Sequence, residues 1–513
     1  MKTCEEIGCE YPVHSELTKC ALHCEKHDYL TDLNSGLLKS FSDTLNKHIN
    51  SKFPLPTTFN SNPHGFLSSL QFLQPLLPVP KDSQDRNSKY ILLDRIWFPV
   101  RIVNHESDYT KVLESIGKIH FSNCTFSINK LELKHSQIFF DSCTFKVRWE
   151  IKSHSALNYD KGFIYHNCTF KEEVSSVGAD NEISTIIYPV FSQCSFEKNI
   201  NLKDTKFKST IFVQMRGQSS VNIRIENCIF DEKFELNDQG VGDLEVNKSV
   251  FISEFLIQSC SVNKLQILGT EFNSSTDFEG SFFNNFIISR TIFKDFASFV
   301  DCTFGRPQIS SPEIGAIFDF VTFLGFCSFR SSKFYQGLDI QNTSMKETLN
   351  FYGIFIDKNL TNRETFRIIK NSFDKVGNFI EGNRYYKLEM LKHQTELSNN
   401  GSLSERILFW LYKLTSDFGQ SIIRPIFWFA LTAIVYWLLI ETKNVDLIFR
   451  LLPESTGDIL NDFFMIFNSM TKYIIPYKTW LKPGMEFISF IFYIIFTSLI
   501  WLVILAIKRH TKR

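Results

Sequence analysis

A pattern that recurs from about residue 118 to residue 352 constrains the fold more than any other feature of the chain. Each copy has an apolar residue, a small residue three positions later, and a large apolar residue two positions after that. The chain holds 53 Phe against 7 Trp, and Phe has no polar atom, so the excess indicates a repeated interior position. Eight copies carry cysteine at the small position: Cys124, Cys143, Cys168, Cys194, Cys228, Cys260, Cys302 and Cys327.

The pattern itself recurs with a second, longer period. Ser249, Thr270 and Thr291 are each 21 residues apart, and Cys260 and Cys302 belong to a second series offset by about half a turn. A period near 20 residues is typical of a solenoid. Each coil is expected to return to the same face after four short sides, and about 235 residues predict on the order of 11 coils.

The small position has a physical reason in such a coil. The large apolar residue fills the axis, and the residue two positions before it also points inward, where it must be small for successive coils to approach. The eight motif cysteines are therefore interpreted as small buried residues stacked in ladders, rather than as disulfides or metal ligands.

The tripeptide Cys-Thr-Phe at 124–126, 143–145, 168–170 and 302–304 resembles the pentapeptide-repeat family. That resemblance implies a right-handed quadrilateral β-helix with no catalytic activity. The chain departs from the family in two ways. The family's Ala-Asp/Asn-Leu sequence is nearly absent, and the repeat region contains several insertions. The predicted class is mainly β: a right-handed parallel β-helix, followed by an α-helical cap and a two-helix transmembrane segment.

The N-terminus carries candidate metal ligands, Cys4, Cys9, Cys20 and His23. Two short ligand pairs about ten residues apart suit a tetrahedral zinc ion, because the metal can join turns that are too short to form a core. The segment also resembles the small zinc knuckles found ahead of pentapeptide-repeat domains. Cys24 or His27 could replace Cys20 or His23, which the spacing leaves open. A closed structural site is expected, since nothing in this sequence builds a cleft.

The C-terminal part has a different pattern. Phe366, Ile369 and Phe373 recur at helical spacing and predict a helix that caps the last coil. The apolar runs Ile422 to Ile440 and Phe487 to Ile507 are each near the length that crosses a bilayer. No secretory signal precedes the body and the tail is basic, so both termini are expected in the cytosol.

Five regions follow from these patterns. They are a zinc knuckle (1–30), a connector with the N-terminal cap of the β-helix (31–117), the β-helix (118–352), a helical cap with a juxtamembrane linker (353–420), and two transmembrane helices with their intervening loop (421–513).

Composition and motifs narrow the function. Lys plus Arg and Asp plus Glu are equal at 55 each, so nucleic acid is not an expected partner. No recognised catalytic motif occurs, and no enzyme activity is expected. The favoured function is a membrane-anchored scaffold that binds the lipid bilayer and an unidentified protein. The alternative is a pore-forming membrane effector or ion channel, whose amphipathic segment would be Phe463 to Tyr477. The sequence does not decide whether the chain forms a homo-oligomer.

Overall fold

The computed structural model describes residues 2–15, 17–26, 29–52, 90–100, 108–133, 136–151, 163–177, 183–216, 220–307, 314–441 and 485–511. These residues form two compact units, Met1–Leu360 and Thr361–Arg513. The alternative metal ligand His27 and the segment from Phe463 to Tyr477 lie outside the described residues.

The first unit is a parallel β-solenoid of about ten turns. The prediction of a parallel solenoid of stacked β-coils is therefore confirmed. The described strands stack into five sheets with parallel pairing. The first sheet contains Tyr90–Asp94, Lys118–Ser122, Gln137–Asp141, Tyr165–His166, Phe191–Ser192 and Phe212–Val213. The second contains Trp149–Ile151, Val174–Val177, Ile200–Lys203, Val221–Glu226, Gly240–Asn247, Ser261–Leu268, Phe282–Ser289, Thr303–Phe304, Ala316–Asp319, Lys333–Phe334, Leu338–Asp339 and Phe355–Ile356. The third contains Ser184–Ile186, Thr205–Phe207, Ile229–Phe230, Val250–Phe251, Glu271–Phe272, Ile292–Phe293, Thr322–Phe323 and Ser344–Met345. The fourth contains Trp97–Phe98, Thr125–Phe126, Thr144–Phe145, Thr169–Phe170 and Ser195–Phe196. The fifth contains Phe234–Asn237, Phe255–Gln258, Thr276–Asp277, Ala297–Ser298 and Cys327–Ser328.

The register of the strands follows the 21-residue period. Phe251 pairs with Phe272, and Phe272 pairs with Phe293. Their rings are stacked with centroids 5.2 and 4.9 Å apart, and all three side chains are buried. Stacked Phe columns therefore fill the axis of the solenoid, which accounts for the excess of Phe.

A regular coil uses three sheets. In the coil from residue 250 to residue 268 the chain passes through the third, fifth and second sheets in turn. Strand Ser261–Leu268 is long, but Val262 and Leu265 are both buried although they are three residues apart. Strict alternation is therefore broken near Asn263, and this single strand turns a corner.

In most coils the residue before the small position has a left-handed backbone. Its φ is positive in three columns that repeat coil after coil: Asn123, Ser142, Asn167, Gln193 and Gln214; Asp204, Asn227, Lys248, Gly269, Arg290 and Phe320; Asp238, Ser259, Gly280, Asp301, Ser331 and Gly353. Asn, Asp and Gly adopt this conformation most readily. The repeat therefore has an additional constrained position that its apolar frame does not reveal.

The N-terminal end of the solenoid is covered by helices. Helices α1 (Tyr29–Asn34), α2 (Leu37–Lys52) and α3 (Thr110–Leu113) precede the regular coils. Phe41 of α2 packs against Phe98 at 5.8 Å and against Tyr109 at 5.4 Å, measured between ring centroids. The strand Tyr90–Asp94 pairs with Lys118–Ser122. The first coil therefore begins inside the region predicted as connector and cap.

The second unit is helical, as the sequence predicted after residue 353. It contains α4 (Arg363–Lys375), α5 (Phe379–Asn400), α6 (Leu403–Ser416), α7 (Ile423–Glu441) and α8 (Glu486–Thr511). Helix α8 has 26 residues, and its most apolar 18-residue window has a mean hydropathy of 2.7, so it is long and apolar enough to cross a membrane. Helix α7 is a shorter apolar helix. The two lie antiparallel, because Phe429 contacts Phe496 while Tyr436 donates a hydrogen bond to Ser489.

Candidate metal centre

Two short loops carry the four candidate ligands of the N-terminus. An antiparallel bridge between Thr3 and Pro12 closes the loop that holds Cys4 and Cys9. The second loop begins at Cys20, whose carbonyl oxygen accepts hydrogen bonds from the backbone N–H groups of His23 and Cys24. The two turns are too short to form a core, so a metal held by the four side chains would join them, as expected for a metal knuckle.

The four donor atoms converge. All lie within 4.8 Å of one another, and the group could hold a metal ion. The Sγ atoms of Cys9 and Cys20 are 3.7 Å apart, while Nδ1 of His23 is 3.6 Å from Sγ of Cys4 and 3.4 Å from Sγ of Cys20. Tetrahedral zinc with ordinary bond lengths separates two sulfurs by about 3.8 Å and a sulfur from a nitrogen by about 3.6 Å. The donor set therefore fits a tetrahedral ion of that size.

The remaining candidate, Cys24, points elsewhere. Its Sγ lies 3.9 Å from the carbonyl oxygen of Ala21 and 3.5 Å from Nζ of Lys26, and it is not part of the cluster. Cys20 and His23 thus occupy the places that the spacing left open, with Nδ1 rather than Nε2 of His23 facing the thiols.

The protonation of the site is set by burial. Burial raises the pKa of Cys20 to about 12, and it lowers the pKa of His23, which favours the neutral imidazole that a metal requires. Burial opposes ionisation of Cys4, yet backbone hydrogen bonds from Cys20 and Glu6 bring its pKa below the usual value. Metal binding must displace thiol protons and is therefore favoured by rising pH.

Contacts join the knuckle to the first coil of the solenoid. The backbone N–H of Trp97 donates to the carbonyl oxygen of Leu22 at 2.9 Å. Glu6, which lies between Cys4 and Cys9, forms an ion pair with Arg95 at 3.2 Å. The knuckle therefore continues the hydrogen-bonded surface of the solenoid at its N-terminal end.

Sequence reasoning missed one buried residue beside the site. Lys26 is 4% exposed, and its Nζ donates to the carbonyl oxygens of Ala21 and Cys24 at 2.7 and 2.9 Å. The Nζ atom also lies 5.1 Å from the ring centroid of Phe41. Lys26 thus closes the turn that follows the second ligand pair, although no motif in the sequence singles it out.

An open cavity of about 820 Å³ borders the cluster, where the sequence had indicated no cleft. Cys9 and His23 lie on its wall, together with Tyr11 and His48 from neighbouring segments. Four protein donors already complete a tetrahedron, and a complete tetrahedron leaves no position for a reacting water. The cavity therefore does not by itself make this a catalytic site.

The eight motif cysteines lie elsewhere and are buried. Burial raises the pKa of Cys260 to about 11 and that of Cys228 to about 12, which opposes the reactive thiolate form. These values agree with a packing role for both residues.

Comparison with known proteins adds no assignment: no family model, no curated protein and no solved structure matches the chain.

Proposed function

We propose that this chain is a non-enzymatic scaffold, anchored in a membrane by two helices and closed at its N-terminus by a structural zinc ion. In this proposal the coils follow the right-handed path of the pentapeptide-repeat family, the hand that parallel strand connections adopt almost without exception. The chain then presents a repetitive surface to a protein partner.

The observation that carries the membrane anchor is the exposed apolar surface of α8. Only 11% of its most apolar window is buried within the described structure, whereas the core helix of a water-soluble protein is covered. Because α7 runs antiparallel beside α8, with Phe429 against Phe496 and Tyr436 against Ser489, it would cross at the same depth. Two spans return the chain to the starting side, and the basic end of α8, with Lys508 and Arg509, favours the cytosol for both termini.

The surface of the solenoid supports the scaffold. Asn263 donates from Nδ2 to Asp243 at 3.0 Å, and Asn284 donates to Asn263 at 3.4 Å, so polar side chains form a ladder across coils. Charges also pair between coils, as in Arg224 with Glu245. A repetitive surface with balanced charge suits a protein partner better than a nucleic acid.

The zinc follows from the donor set. Three thiolates and one imidazole select zinc over hard cations. A metal that holds Cys4, Cys9, Cys20 and His23 together would stabilise the knuckle against the first coil, and so help to keep the N-terminal end of the solenoid covered and unable to pair with other chains.

Membrane insertion is tested by alkaline carbonate extraction of the full-length chain. The parent protein should stay in the membrane pellet. Ile494→Lys should release a large fraction, because a charge near the centre of a spanning helix costs about 3 kcal/mol. Ile252→Lys is the matched control, since Ile252 is an exposed isoleucine of the solenoid. Release of the parent would contradict the anchor, and ion flux through liposomes containing the parent would contradict the scaffold.

A further inference from the structure

A second cavity lies within the helical unit, between α5 and α6. It has a volume of about 350 Å³ and is lined by Leu397 of α5 and by Arg406, Ile407 and Trp410 of α6, among others. That volume falls within the range of sites for small molecules, and the lining is mostly apolar with one cation at its edge. Such a lining suits an amphiphile.

The cavity continues into an exposed apolar face of α6. The exposed apolar residues recur at spacings of one, three and four along the helix: Leu403, Ile407, Leu408, Trp410 and Leu411. Helices of this kind, with basic residues beside the apolar face, lie in the headgroup region of a bilayer. Arg406 and Lys413 are the basic residues of α6.

Contacts with α7 place the last turn of α6 beside the start of the proposed spanning helix. The indole N–H of Trp428 donates to the carbonyl oxygen of Leu414 at 3.2 Å, and Arg424 donates to the carbonyl oxygen of Lys413 at 3.2 Å. Trp428 lies about 7 Å along α7 from its first residue. The last turn of α6 is therefore level with the first turns of the helix proposed to enter the bilayer.

Arg406 is held in place while its two terminal nitrogens remain available. Its Nε donates to the carbonyl oxygens of Leu397 and Gly401 at 3.0 and 3.1 Å. Among the described residues, no hydrogen bond or ion pair engages the terminal nitrogens of this guanidinium. A fixed guanidinium matches the geometry of a phosphate group.

We infer that the α5–α6 cavity binds a phospholipid with an anionic headgroup, with its phosphate at Arg406 and an acyl chain along Ile407 and Trp410. The inference rests on the proposed membrane anchor and deepens it by naming the lipid class. Charge and the exposed apolar face select this occupant: a cation beside an apolar cavity, on a helix whose last turn contacts the start of the proposed spanning helix, is complementary to an anionic amphiphile.

The test uses full-length protein in nanodiscs of phosphatidylcholine that contain a small mole fraction of a brominated lipid, either phosphatidylglycerol or phosphatidylcholine. Subtracting the signal of Trp410→Phe isolates the fluorescence of Trp410. Brominated phosphatidylglycerol should quench Trp410 about fivefold more effectively, the effect of roughly one basic contact with an anionic lipid. Arg406→Gln should abolish this preference. Arg384→Gln, which removes a charge from an exposed arginine of α5 outside the cavity lining, should retain it.

The outcomes separate this inference from the anchor. Equal quenching by the two lipids, or a preference that survives Arg406→Gln, would overturn the lipid site while the protein still resists carbonate. Absence of quenching together with a dimeric mass that Ile407→Glu reduces to a monomer would assign the face to a second copy of the chain instead. Release of the parent by carbonate would remove the anchor and the lipid site together. Circular dichroism of each variant checks that the helices are intact.

Discussion

The Sγ atom of Cys302 donates a hydrogen bond to the backbone carbonyl oxygen of Phe278, 3.0 Å away and one coil earlier. Ser281 and Cys260 repeat the same contact in the preceding coils, with Ile257 and Leu236 as acceptors. The small position is thus occupied by residues that are compact and can also donate to the backbone. The sequence indicated only that the residue at this position must be small. The structure shows that a hydrogen-bond donor is also used there.

Replacing Cys302 tests this role. Cys302→Ser should change the free energy of unfolding by no more than about 1–2 kcal/mol, because the hydroxyl can donate to the same carbonyl. Cys302→Leu should cost about 1–3 kcal/mol by overpacking a buried site. Chemical denaturation followed by circular dichroism measures both. A serine variant that folds normally but loses function would assign the thiol a chemical role.

The metal cluster makes a second prediction. The purified protein should contain one zinc per chain by mass spectrometry, and Cys20→Ser should lose it. Removal of the metal should lower the free energy of unfolding of the N-terminal cap by about 3 kcal/mol or more, since metal affinity and folding are linked. Cys24→Ser is the control, because Sγ of Cys24 lies outside the cluster. Zinc retained by Cys20→Ser but lost from Cys24→Ser would contradict this ligand set.

Gly325 lies where two coils approach closely. A Cβ atom at this position would be 2.6 Å from the carbonyl carbon and 2.7 Å from the carbonyl oxygen of Asp295. Gly325→Ala should therefore destabilise the solenoid by about 1–3 kcal/mol. Gly240→Ala, where nothing lies within 4 Å of the added atom, should be close to neutral. Equal melting temperatures for the two variants would show that the coils can separate without cost.

Phe320 occupies a corner that disfavours it. Its φ is +51°, its side chain is 63% exposed, and the equivalent corners in earlier coils carry Asp204, Asn227, Lys248, Gly269 and Arg290, none of which is aromatic. Phe320→Asn should stabilise the solenoid by about 1 kcal/mol, because a left-handed backbone is costly for a bulky residue. Leu324→Asn, at an exposed leucine without a positive φ, should change stability by less than about 0.5 kcal/mol. A destabilised Phe320→Asn protein would indicate that the exposed ring makes a favourable contact.

The sequence by itself determined the solenoid, its period and its Phe columns. Each coil places the same kinds of residue inward and outward. The spacing of Phe251, Phe272 and Phe293 therefore predicts which strands pair and in which register. The same holds for the helical pattern of Phe366 and Ile369, because amphipathic periodicity is a local property of the chain.

Only the tertiary structure decided which thiols meet. Cys20 and Cys24 are four residues apart and chemically identical, yet one Sγ faces Cys9 while the other faces Lys26. Their directions depend on how the knuckle packs against Trp97 and Phe41, which are distant in sequence. The cavity at Arg406 likewise exists because α5 and α6 fold back on each other. Spacing along a chain encodes periodic packing, whereas the convergence of a few side chains at one point depends on contacts between segments that the spacing does not relate.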